Sequence, residues 1–110
     1  METKTVVKYN GEEYKIAPTR FSIADVEEEF GFSFLKPKQD TFADVFKYAT
    51  MMVLAGCRPE HPKMDYETAR NIADALFNEA GMKEGSEMLA TALREAINPT
   101  TGAKKTAMKR

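Results

Sequence analysis

The stretch Asp40-Thr-Phe-Ala-Asp-Val-Phe-Lys-Tyr-Ala-Thr-Met-Met-Val-Leu-Ala-Gly-Cys57 decides how this chain folds. Phe42, Val45, Phe46, Ala49, Met52 and Val53 recur at spacings of three and four, which lines up one face of a helix. Asp40 or Thr41 can cap its first turn, and the pattern predicts a helix running to Ala55 with Gly56 as its stop. With Tyr48, Met51 and Leu54 added, the last two turns are apolar nearly all round. Such a helix is either central to the fold or covered in part by another chain.

Outward from this helix, three further helical patterns appear. Upstream, Phe21, Ile23, Val26 and Phe30 form an apolar stripe, with Ser22 as the expected cap, Asp25 in the capping-box position and Gly31 as the stop. Glu27, Glu28 and Glu29 fall mostly on its solvent side. Downstream, Asp65 can cap a helix carrying Ala69, Ile72, Ala73, Leu76 and Phe77, closed between Asn78 and Gly81. A fourth pattern starts at Gly85 or Ser86 and carries Met88, Leu89, Ala92, Leu93 and Ile97, ending at Asn98-Pro99. Between the first two helices, Phe32-Ser-Phe-Leu35 is short and apolar, and Lys36-Pro-Lys-Gln halts any continuation.

Residues 5–17 read differently. Val6, Val7 and Tyr9 precede Asn10-Gly11, the pair best suited to a type I′ turn, and Tyr14 and Ile16 follow it. Two strands are marginal alone, so this hairpin must pack on helices or extend a partner's sheet. The expected fold is mainly α: a single helical domain over residues 1–98, with about four helices and an N-terminal β-hairpin, followed by a basic tail at 99–110 whose composition predicts disorder.

Composition agrees with one compact body. The chain has 110 residues, of which 43% are hydrophobic and 10% aromatic, enough for one core. Net charge is −1, so no overall field draws the chain to nucleic acid or an anionic membrane. The balance is uneven, because Lys104, Lys105, Lys109 and Arg110 crowd the end with no acid. Taking those four charges from −1 leaves −5 elsewhere. A single cysteine excludes an internal disulfide and suits a reducing cytoplasm. The start, Met1-Glu-Thr-Lys, lacks the apolar core of a signal peptide, and the longest apolar run, Ala49 to Gly56, is too short to span a bilayer.

Candidate chemistry is sparse. Cys57 and His61 are four apart, but Pro59 and Pro62 interrupt the helix that would align them, and zinc needs three or four ligands. Cys57 as a nucleophile would have only His61 as base and nothing to orient it. Glu27 to Glu29 point in different directions around a helix and read as a solvated face. No glycine-rich phosphate loop is present. The expectation is therefore no catalytic residue, metal or cofactor. Seven methionines suit irregular cores, the commoner use, and also adaptable binding surfaces. A partner-binding face is expected at Tyr48, Met51, Met52 and Leu54, which would also support self-association.

The order of elements resembles a family. The leading hairpin, Phe21-Ser-Ile-Ala-Asp-Val-Glu-Glu-Glu-Phe-Gly31, the apolar helix ending Leu54-Ala-Gly56 and the opening Met64-Asp-Tyr-Glu-Thr-Ala69 are similar to the tail assembly chaperones of long-tailed bacteriophages and prophages, over about residues 5 to 97. The resemblance implies a non-enzymatic helical protein of the host cytoplasm. It also implies binding to the tape measure protein and the tail tube protein, with self-association, and in many members a longer frameshifted form. A small phage structural protein or DNA-associated regulator is the competing class. It would need a recognition helix rich in exposed basic residues, and the third and fourth helices offer only Arg70 and Arg94.

Overall fold

A computed structural model of the chain describes residues 5–98. It is mainly helical, with an N-terminal two-stranded antiparallel hairpin, as the hydrophobic periods predict. The elements run β1 (Thr5–Tyr9), β2 (Glu12–Ile16), α1 (Arg20–Phe30), α2 (Phe42–Cys57), α3 (Tyr66–Ala80) and α4 (Met82–Ile97). The expected tail at 99–110 lies outside the described residues.

Asn10 and Gly11 both adopt positive φ, 57° and 81°, which gives the two-residue turn its register of Tyr9 opposite Glu12 and Val7 opposite Tyr14. Side chains alternate across a strand, so Val7 and Ile16 face inward and are buried. The hairpin does not stand alone. β1 lies against α3 and the edge of α4, and β2 lies against α2.

α2 is the central element, meeting α1, α3, α4 and β2. Nine consecutive residues, Ala49 to Cys57, are buried. That placement accounts for the all-round apolar character, since each side of the helix meets another part of the same chain. Its end is docked by neighbours. The Ala55 carbonyl would ordinarily accept from residue 59, but Pro59 has no N–H, and the Ser22 hydroxyl donates to it instead at 2.7 Å. The Gly56 carbonyl accepts from the Ala17 N–H at 2.9 Å.

Three boundaries differ from the sequence reading. α1 is capped by Thr19, whose hydroxyl accepts from the Ser22 N–H; Ser22 occupies the third helical position and accepts in turn from the Thr19 N–H. α2 passes through Gly56 and ends at Cys57. Gly56 is small because β2 crosses there: a Cβ would lie 2.4 Å from Ile16 Cγ2 and 3.1 Å from Ile16 Cα. α4 begins at Met82, directly after Gly81, whose φ of 90° turns the chain sharply out of α3. Gly85, expected at the helix start, lies within α4 against the Phe77 ring. Asp65 caps α3 as expected, and of the two candidates for α2, Asp40 and Thr41, the cap is Thr41.

Candidate functional site

Met51 and Leu54 are fully buried and Met52 nearly so. This corrects the expected partner-binding face: those side chains form the core, covered by other parts of the same chain. Self-association argued from that face loses its basis. Tyr48 alone of the four reaches the surface, half-buried, where burial raises its hydroxyl pKa above the usual value. Phe21, assigned to the buried stripe of α1, is 83% exposed, and Phe42, assigned to that of α2, is 68% exposed.

The exposed apolar side chain with the most shaped surroundings is Leu35, at 77% exposure. Its position follows from the chain just before it. Gly31 takes the left-handed conformation that closes α1, and the Phe32 N–H returns to the Glu27 carbonyl at 3.1 Å. The Glu27 carboxylate then accepts from the Phe34 N–H at 2.8 Å. Glu27 is therefore half-buried and holds the loop, where sequence alone placed it among solvated glutamates. The Phe34 ring enters an aromatic cluster with Phe32, 5.1 Å away and edge-on, and Tyr48, 6.1 Å away. With Phe34 inward, Leu35 is left outside.

A depression lies on each side of Leu35. The larger, of about 510 Å³, is walled by Phe34, Tyr48, Leu93, Arg94 and Ile97. The smaller, of about 180 Å³, lies over α1 and is walled by Ile23, Ala24, Arg20, Phe34 and Ile97. Together they make one groove between α1, the 31–41 loop and the end of α4, with Leu35 as its ridge. The Arg20 guanidinium donates to the Ile97 carbonyl at 3.3 Å, which ties the ends of the two helices together at the rim. A leucine bounded by Gly31 and Lys36-Pro37, outside any period that could bury it, was the signal for this site.

Outside this region, two groups singled out by the sequence, Cys57 and His61, and the neighbouring Arg58 are engaged in structure. Arg58 donates to Glu29 at 2.6 Å and twice to the Met64 carbonyl, holding the 58–64 connection against α1. Cys57 faces the core, and burial, with Glu60 nearby, pushes its thiol up to about 12, far from the range of a nucleophile at neutral pH. His61 packs on Tyr14 with ring centroids 5.1 Å apart. Among the described residues no three His, Cys, Asp or Glu side chains gather in a way that could hold a metal, and no helix is long and apolar enough to cross a membrane.

Comparison with protein-family models, with curated proteins and with solved structures yields no match.

Proposed function

We propose that this chain is a non-enzymatic binding protein of phage tail assembly, a chaperone that keeps the tape measure protein soluble in the host cytoplasm and also engages the tail tube protein. One observation carries the binding reading: Leu35 stands 77% exposed between two apolar depressions built from Phe34, Tyr48, Leu93 and Ile97. Fully burying an exposed leucine stabilises a complex by about 1.5–3 kcal/mol. The phage assignment rests on the sequence resemblance alone. A tape measure is a long helical protein with apolar faces, and an amphipathic helix laid in a groove is the recurrent way to cover such a face. Association of the chain with itself belongs to the same proposal, and among the described residues Val6, Phe21, Phe42 and Met82 are the exposed large apolar side chains other than Leu35 that could serve it.

The test is co-expression with a candidate tape measure protein, scoring its soluble fraction with wild type and with Leu35→Asp. Wild type should raise that fraction and Leu35→Asp should not, although the variant remains folded. A nucleic-acid binder would instead hold DNA in a salt-sensitive manner. That result, or no gain in solubility, would count against the chaperone reading.

A further inference from the structure

We infer that two copies of this chain dimerise by exchanging α4, with Gly81 as the hinge. The seat and its occupant are both visible, because α4 already lies in it. Leu89 and Leu93 are buried, and Gly85 packs so closely on α3 that a Cβ there would meet the Phe77 ring at 2.8 Å. An α4 supplied by a second copy makes these same contacts. Exchange of an identical element is a low-cost route to a dimer, since the interface needs no surface that the single chain does not already pair.

The hinge is one residue long. α3 ends at Ala80 and α4 begins at Met82, so a single exposed glycine, at φ 90° and ψ 159°, makes the whole turn. On either side of it the helical hydrogen bonding is intact: the Gly81 N–H donates to the Phe77 carbonyl and the Gly85 N–H to the Gly81 carbonyl, each at 2.8 Å. The turn interrupts only the three bonds between them. Among the described residues the N–H groups of Met82, Lys83 and Glu84 have no backbone acceptor and no side-chain cap, and the carbonyls of Asn78, Glu79 and Ala80 accept no backbone N–H. Moving Gly81 into the right-handed helical region brings those donors to those acceptors. α3 and α4 then fuse into one helix from Tyr66 to Ile97, about 48 Å long. In that form α4 points away from its own body, and a second copy covers its apolar face reciprocally.

Gly81 sets the balance between the two forms. Its φ lies where other side chains are strained, which keeps the closed form open to glycine, and glycine is a poor residue for a helix interior, which holds back the fused one. Nothing lies within 4 Å of a Cβ built on Gly81, so a substitution there acts through the backbone alone. Exchange also reaches the groove. Leu93, Arg94 and Ile97 wall the larger depression beside Leu35, and after exchange they come from the second copy.

The experiment measures mass against concentration by light scattering for the wild-type full chain, for Gly81→Ala and for a chain with Gly-Ser-Gly inserted after Gly81. Alanine favours a helix interior over glycine by about fivefold per site, so two fused chains gain about twentyfold, before the strain of alanine in the closed form is added. Gly81→Ala should therefore dimerise at least about twentyfold more tightly than wild type. The insertion should be monomeric, because a longer connection returns α4 to its own body and breaks the fused helix. Hydrogen exchange on the isolated dimer identifies the exchange itself: the amides of Met82, Lys83 and Glu84 should become protected, as a continuous helix requires. A Gly81→Ala chain that folds and stays monomeric overturns the inference. So does a dimer whose three amides still exchange freely, or an insertion variant that dimerises as tightly as Gly81→Ala. If Gly81→Ala does not fold, wild type refolded from denaturant at millimolar concentration decides: the same protected dimer is expected, and a strict monomer overturns the inference. The chaperone reading is scored by solubilisation of a partner, and stands or falls separately.

Discussion

Replacing Gly56 by alanine sets two physical effects against each other. In a helix interior, alanine is favoured over glycine by about 0.5–1 kcal/mol, because less backbone entropy is lost on folding. Against that, the new Cβ would lie 2.4 Å from Ile16 Cγ2, 3.1 Å from Ile16 Cα and 3.2 Å from the Ala17 nitrogen. Two of these three atoms are backbone, and the Ala17 N–H is held to the Gly56 carbonyl at 2.9 Å, so β2 can withdraw only by giving up that bond. Overpacking of this kind costs about 1–3 kcal/mol, and a clash with fixed backbone belongs at the upper end. The net expectation is a loss of about 2 kcal/mol, or roughly 10 °C in melting temperature for a body of this size. Thermal melting by circular dichroism reads it directly. Gly85→Ala is the internal control: its Cβ meets only the side chains of Phe77 and Leu76, at 2.8 Å and beyond, which can yield, so the loss should be smaller. If Gly56→Ala melts at or above wild type, Gly56 is merely a helix stop and the hairpin does not cross α2 there.

Met51→Glu should unfold the protein, because a carboxylate would replace a fully buried thioether; a loss above about 4 kcal/mol is expected, visible as aggregation or a missing cooperative melt. Cys57 should react with thiol reagents only as fast as the core opens, since the thiol is buried and pushed up to about 12; rapid labelling of the native protein at pH 8 would contradict that environment. Asp65 is held below the usual 3.8 first by the Thr68 hydroxyl and then by the Thr68 N–H, and at Asp44 the N–H groups of Thr41 and Asp40 outweigh a burial effect of opposite sign. A depressed carboxyl stabilises the fold above its unfolded value and loses that contribution as pH falls below about 3.8. Urea midpoints should therefore drop on acidification below pH 4, and drop less in Asp44→Asn with Asp65→Asn, where the amides still accept the capping bonds but do not titrate.

Local patterning alone determined the element types. Asn10-Gly11 specified the hairpin because few other pairs take two positive φ angles cheaply, and Thr41 and Asp65 marked helix starts because each can satisfy free amides within its own turn. These are interactions between residues no more than four apart, and such spacing is written in the sequence.

Tertiary structure decided what the apolar surplus was for. Nothing in the run from Tyr48 to Leu54 distinguishes a helix enclosed by its own chain from one covered by a partner, because burial depends on what α1, α3, α4 and the hairpin do around it. Gly56 reads as a stop until β2 is seen crossing it, and Glu27 reads as solvated until the Phe34 N–H turns back to it across seven residues. The groove has the same origin. Leu35 became a ridge because Phe34 was drawn into the aromatic cluster, and the walls on either side came from α1 and α4, whose ends meet only when the chain has closed around α2.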